Sequence, residues 1–252
     1  MPRSSASSAP GPPREGDAMA LADSHKEAVL ASHPLLRHLK PEDLRQLAMV
    51  AQIVRHPRHA TLFQKGDPGN SMMAVTRGRV KLCTFSNDGR EVVLNIVGQG
   101  GMFGEIAVLD GQPRSADAVT LEETDLLVLE RAHLLPFLTS NPEALSRLLA
   151  VLCQRLRQTS EDLEDALLRE APSRLARGLL RLAETFGKPV PGGIQLTIKM
   201  SQQQIGSLIG ASRESINKHL GEWTRAGYLA AEGGFIVILD RVTLERIIEA
   251  DG

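Results

Sequence analysis

The 252-residue sequence predicts an α+β fold in three parts: an N-terminal jelly-roll-like β-roll, one long helix suited to dimerisation, and a C-terminal winged helix-turn-helix. Three observations carry that prediction. From about His38 to Phe137, short apolar runs are punctuated by glycine, the pattern of many short strands. After Pro142 the apolar residues fall at heptad spacing, and between Met200 and Leu229 two capped helical patterns meet at Gly210. The divisions expected are a disordered tail at 1–24, the roll at 25–140, the helix at 141–170 and the helix-turn-helix part at 171–252.

The N-terminal segment MPRSSASSAPGPPREGDAM is rich in Ser, Pro and Gly and has no apolar stretch of the kind found in a signal peptide. No apolar run approaches the ~20 residues of a membrane span. Two cysteines, Cys83 and Cys153, without an export signal point to reduced thiols and a cytoplasmic protein. With only 3% aromatic residues against 42% hydrophobic, the cores must be aliphatic.

Within the roll, Val80, Leu82 and Thr84 alternate with Arg79, Lys81 and Cys83, and Asn87-Asp88-Gly89 marks a hairpin turn. Gly66, Gly78, Gly98 and Gly104 each fall between runs, where turns of a compact antiparallel sandwich belong.

The segment FGEIAVLDGQPRSA, Phe103 to Ala116, carries the chemistry. Gly104 allows close approach of backbone N–H groups, Arg114 offers a planar fork to anionic oxygens, and Ser115 adds a hydroxyl. Glu105 would repel a free phosphate but accepts hydrogen bonds from hydroxyls, so the pair suits a ligand with both phosphate and sugar, a nucleotide. The competing reading is a surface turn, Asp110-Gly111-Gln112-Pro113, followed by a solvated arginine.

This segment resembles the phosphate-binding cassette of cyclic-nucleotide-binding domains, above all that of the cyclic-AMP receptor protein/FNR (CRP/FNR) family of bacterial transcription regulators. The resemblance implies that Glu105 holds the ribose 2′-hydroxyl and Arg114 the cyclic phosphate, assisted by Gly104 and Ser115, with Ile106, Ala107 and Ala116 completing the cassette. The four cysteine ligands of an iron–sulfur relative are lacking. Seven histidines leave a haem-sensing relative open, although none stands beside the cassette.

Leu145, Leu149, Leu152, Leu156, Thr159, Leu163 and Ala166 step by alternating four and three residues, a seam that asks for a partner helix. A homodimer is expected; the alternative is an amphipathic helix packed only on its own domain. Thr159 and Ser160 interrupt the seam with hydroxyls. In the family the matching pair meets the purine, one residue from each subunit, and Arg155 stands where an arginine approaches the Glu105 equivalent. Hydroxyls donate and accept, so the pair suits adenine or guanine. Family prevalence favours cyclic AMP and leaves cyclic GMP possible; no metal is expected.

From Ser173 to Arg225 eight Lys and Arg face three Glu, about +5, so basic charge gathers late in the chain. Ser201 and Gln204 form a capping box ahead of Ile205, Leu208 and Ile209, and Ser212 caps a second helix carrying Ile216, Leu220 and Trp223 inward. Arg213, Glu214, Asn217 and Lys218 on its outer face are base-reading types. SRESINKHL resembles the family's recognition helix, with Asn217 and Lys218 departing from its best-known member; Ser201, Gln202 and Ser212 join the expected DNA contacts. Glu232-Gly233-Gly234 lies between two apolar runs as a hairpin, the wing, set either to place backbone against phosphate or simply to stabilise the domain. Arg241 to Glu249 closes the chain as a short helix.

The resemblance implies a homodimer on a palindromic operator in double-stranded DNA, gated by the nucleotide and in contact with RNA polymerase. Constitutive binding with a vestigial pocket is the alternative. An enzyme is not expected, since His25, His33, His38, His56, His59, His133 and His219 form no metal-ligand set with acids.

Overall fold

A computed structural model describes residues 24, 26–31, 36 and 39–251. The tail expected over 1–24 lies, residue 24 apart, outside them.

The α+β prediction holds. The roll consists of two four-stranded antiparallel sheets. One has the order β1-β8-β3-β6, from β1 (Gln52–His56), β8 (Thr124–Glu130), β3 (Ser71–Arg77) and β6 (Met102–Phe103). The other has the order β2-β7-β4-β5, from β2 (Thr61–Phe63), β7 (Asp117–Thr120), β4 (Val80–Phe85) and β5 (Glu91–Val97). Val75, Val80, Val97, Phe103, Ala118 and Leu126 form one buried cluster from both sheets, which fixes the strands that flank the cassette.

Three corrections to the sequence reading fall in the roll. It is not strands throughout: α1 (Pro41–Val50) and α3 (Arg131–Ser140) pack Leu44, Leu47, Leu134 and Phe137 into one buried cluster with Met72, Leu127 and Leu129. Pro41 at the first helical position and Glu42 and Asp43 in the first turn are the start signals of α1 in the sequence. Residues Glu105–Asp110 of the cassette also form a short helix, α2, closed by Gly111 at φ 73°. Finally, the strict alternation along β4 fails, because a register shift between Leu82 and Cys83 brings Cys83 into full burial. Burial pushes its thiol up to about 12.

Helix α4 (Pro142–Leu168) starts at Asn141, whose side chain accepts from the Ala144 N–H at 3.1 Å. Its first turns pack Ala144 and Leu148 on the roll. Along the heptad seam Leu145 and Leu152 are half-buried, whereas Leu149, Leu156 and Leu163 are exposed, as are Thr159 and Ala166. Packing within the chain therefore accounts for the beginning of this helix and not for Leu149, Leu156 and Leu163.

The C-terminal part, called the reader below, has its own core, in which α5 (Ala171–Phe186) packs against α8 (Arg241–Glu249), α6 (Gln202–Ile209) and α7 (Arg213–Arg225). Leu175, Leu179, Ile205, Ile216 and Leu244 are buried there. The wing is β11 (Leu229–Glu232) and β12 (Phe235–Ile238), but it is half of a larger sheet. A second hairpin, β9 (Gly187–Val190) and β10 (Gly193–Leu196), extends it to the order β11-β12-β10-β9. Its sequence signal is the Pro191-Gly192-Gly193 turn before alternating Ile194, Leu196 and Ile198.

Candidate functional site

Strand β6 runs into Gly104, which adopts φ 81° and starts α2. A Cβ at Gly104 would lie 2.6 Å from Arg114 Nη1 and 3.1 Å from the Ser71 carbonyl oxygen, so both conformation and space demand glycine. Two charged side chains converge on this point, and both are buried: Glu105 is 1% exposed and Arg114 5%.

The Arg114 guanidinium lies on the Phe63 ring, 4.2 Å from its centroid, and donates to the Gly104 carbonyl at 2.9 Å and the Ser71 hydroxyl at 3.1 Å. Burial depresses its pKa, which Asp67 and Glu105 partly offset. Its Nε has no partner among the described residues. One Glu105 oxygen takes a bond from Arg155 Nη1 of α4 at 2.5 Å, while the other, Oε2, is buried without a partner among the described residues. Arg155 also donates to the Met102 carbonyl. Buried polar atoms are nearly always bonded, so two open positions nine residues apart on one short segment point to a ligand.

A cavity of about 860 Å³ opens beside Glu105. Ile106, Ser115, Ala116, Arg155 and Thr159 line it with Glu105, so six of the expected cassette and helix residues share one space. Four do not. Arg114 lies beneath the wall on Phe63, Gly104 sits at the turn, and Ala107 packs where a Cβ on Gly69 would come within 2.1 Å of its own Cβ. Ser160 is exposed on α4 outside the cavity. The hydroxyls of Thr159 and Ser160 donate to the Arg155 and Leu156 carbonyls at 2.9 and 3.0 Å, so the helix itself satisfies them and leaves their lone pairs to accept. The far end of the cavity is walled by Arg79, Arg181, Phe186, Thr197 and Leu208. None of these carried a sequence signal for the cavity, because only the tertiary fold brings the reader to this edge of the roll.

In the helix-turn-helix, the capping box at Ser201 and Gln204 is formed, Gly210 takes φ 69°, and Ser212 accepts from the Ser215 N–H. Both cap hydroxyls are thus engaged with backbone. Arg213, Glu214, Asn217 and Lys218 are all exposed. Gln202 donates to Asn217 at 2.9 Å, which fixes α6 against the outer face of α7. The Glu214 carboxyl is held below the usual range by hydrogen bonds from its own backbone N–H and from Ser212. Among the described residues Arg213 and Lys218 pair with no carboxylate, unlike Arg169, Arg177 and Arg181. At the wing, Gly233 and Gly234 adopt φ 58° and 83°, and Lys199 Nζ stands 4.6 Å from the Phe235 ring centroid.

Among the described residues no group of three His, Cys, Asp or Glu is placed to hold a metal ion, and no helix is long and apolar enough to cross a membrane.

Two family models match the chain: a cyclic nucleotide-binding domain over residues 53–141 and a Crp-like helix-turn-helix domain over 173–247. The CRP-like cAMP-activated global transcriptional regulator of Mycobacterium tuberculosis is 34% identical over 220 residues, 87% of this chain and 98% of the relative. The cyclic AMP receptor protein of Thermus thermophilus is 30% identical over 214 residues, 85% and 96% of the two chains. A crystal structure of a CRP/FNR-family transcriptional regulator from Thermus thermophilus superposes with TM-score 0.67 at 27% identity, covering 80% of this chain and all of the other.

Proposed function

This chain belongs to the CRP/FNR family of transcription regulators, and from that premise we propose that it is a homodimeric regulator whose cavity takes cyclic AMP and whose paired recognition helices read a palindromic operator. The observation that carries the reading is the pair of unmet buried atoms, Glu105 Oε2 and Arg114 Nε, on two residues that both adjoin Gly104. A ribose hydroxyl donates and a cyclic phosphate accepts, which is what a carboxylate oxygen and a guanidinium N–H respectively lack there. In this reading Ile106, Ser115, Ala116 and Thr159 form the remaining wall, Ala107 supports α2 from behind, and Ser160 serves the partner's cavity.

Dimerisation is supported by the exposed seam Leu149, Leu156 and Leu163 on α4, which also carries Arg155 and Thr159. The ligand and the partner helix then act on the same element. Binding favours one setting of the paired helices, and two recognition helices about one DNA turn apart, ~34 Å, engage the half-sites. DNA contacts are assigned to Arg213, Glu214, Asn217 and Lys218, with Ser201, Gln202 and Ser212 orienting the two helices. The relatives' regulatory activity supports a cytoplasmic protein in contact with RNA polymerase, without catalysis of its own.

Isothermal titration with cyclic AMP and with cyclic GMP tests the ligand. Uptake of cyclic AMP is expected; no heat with either nucleotide would leave the second reading, constitutive DNA binding with a vestigial pocket. One observation favours that second reading: both terminal nitrogens of Arg114 are already bonded, to Gly104 and Ser71.

A further inference from the structure

Among the described residues one side-chain hydrogen bond joins the two helices of the helix-turn-helix. Gln202, in the first turn of α6, donates through Nε2 to Oδ1 of Asn217 on α7 at 2.9 Å. The backbone beneath this bond is fixed. The capping box of Ser201 and Gln204 holds the first turn of α6, Ser212 holds that of α7, and the Ala211 N–H donates to the Gly206 carbonyl at 3.0 Å. A Cβ at Gly206 would fall 2.6 Å from the Ala211 carbonyl oxygen, so α6 lies directly against the turn. Ile205 and Ile216 are buried in one cluster behind it.

That bond decides what Asn217 offers to a partner. A carboxamide carries two N–H donors and an oxygen with two lone pairs. Gln202 takes one lone pair and fixes the turn of the amide, which leaves both Nδ2 hydrogens and one Oδ1 lone pair open. Asn217 is exposed, one helical turn after Arg213 and next to Lys218. Its side chain is short, so it reaches a base only where α7 lies close to the floor of the groove. One turn further on stands Gly221, exposed, with nothing within 4 Å of the point a Cβ would occupy. A glycine inside a helix is destabilising relative to alanine, and the packing of the described residues does not call for this one. It leaves the ridge Arg213-Asn217-Gly221 bare beyond Asn217, as a close approach requires.

We infer that Asn217 is a specificity-determining residue that reads one adenine in each half-site, and that Gln202 is its positioning residue. The inference rests on the reading of α7 as the recognition helix of a homodimer. In the major groove adenine alone presents an acceptor, N7, beside a donor, the N6 amino group. The open donor and acceptor of Asn217 match that pair. Guanine offers two acceptors, thymine an acceptor and a methyl group, and cytosine a donor. Arg213 and Lys218 suit guanine and Glu214 suits cytosine, so Asn217 adds the determinant that the other three lack.

The test uses the full-length protein at fixed salt and one concentration of cyclic AMP. Wild type selects a duplex from a random-sequence pool, and fluorescein-labelled copies of it with single changes are titrated with wild type, Asn217→Ala, Gln202→Met and Gln202→Lys. Wild type should show an A·T pair at which replacement lowers affinity about 10-fold, and 7-deazaadenine there, which lacks the N7 acceptor, should cost about as much. Asn217→Ala should tolerate every change at that pair within about 2-fold and keep the preferences elsewhere in the site. Gln202→Met, of similar length but without a donor, should cut the effect to about 3-fold at the same pair, and Gln202→Lys, which regains a donor, should recover it. The readout is a ratio between duplexes, so an added phosphate contact from lysine does not move it. Loosening at a G·C pair, or 7-deazaadenine tolerated by wild type at the loosened pair, overturns the adenine assignment; an unchanged ratio in Gln202→Met removes Gln202 from it. A wild type that selects no sequence overturns the operator reading and this inference with it, whereas selection whose preferences Asn217→Ala leaves intact overturns this inference alone.

Discussion

Arg155 Nη1 lies 2.5 Å from Glu105 Oε1, joining the middle of the long helix to the first residue of the cassette helix fifty positions earlier in the chain. The bond runs between a carboxyl that is 1% exposed and a helix that also carries the exposed Leu149, Leu156 and Leu163. In the proposed dimer a ligand hydroxyl at Glu105 Oε2 sits one hydrogen bond away from the helix that carries the seam.

Removing Arg155 leaves Glu105 a buried carboxylate with no side-chain partner among the described residues. Arg155→Met should lower stability by about 3 kcal/mol, read as the shift in a urea transition, and should weaken nucleotide uptake in the same protein.

Arg114 makes no ion pair at 4.0 Å among the described residues, and its Nε is unmet. Arg114→Leu should abolish nucleotide uptake by titration calorimetry while the protein still unfolds cooperatively, because an apolar side chain fits against Phe63. Undiminished uptake would remove Arg114 from the phosphate role.

Two glycines of similar φ separate strain from space. Gly66, at φ 95°, has nothing within 4 Å of the point a Cβ would occupy, whereas Gly104 has Arg114 and Ser71 there. Gly66→Ala should cost about 1 kcal/mol in thermal or urea unfolding. Gly104→Ala should cost more than that and impair nucleotide binding as well, since it displaces Arg114.

Leu156 is 69% exposed in the single chain. Leu156→Glu should leave intradomain packing within about 0.5 kcal/mol yet convert the dimer to monomer in sedimentation equilibrium. A variant that remained dimeric would move the interface off α4.

Cys83, with its thiol pushed up to about 12, stays protonated and shielded at about pH 8, whereas Cys153 is exposed. A thiol-reactive chromophore should label one cysteine per native chain at that pH and both after denaturation.

Local signals are legible where they act locally. Ser201 with Gln204, Gly210 and Ser212 foretell the helix-turn-helix because caps and turns are set by neighbouring backbone. The heptad leucines likewise foretell α4 and its exposed seam. The cassette residues are legible as chemistry, but not the α2 helix, whose six residues give no periodicity to read. Cys83 defies the alternation of β4 because a single register shift reverses which face a strand residue takes. Arg79, Phe186 and Thr197 are invisible for a different reason: their meeting depends on how the reader rests on the roll, over a hundred residues away in sequence.

The central claim is that nucleotide in the cavity beside Glu105 governs the reader's grip on DNA. Fluorescence anisotropy of the selected duplex with wild-type protein, at one salt concentration and with cyclic AMP varied, measures it most directly. Affinity should rise about 5-fold or more as cyclic AMP saturates, and Arg114→Leu should not respond. Equal affinity with and without saturating cyclic AMP or cyclic GMP would contradict the account.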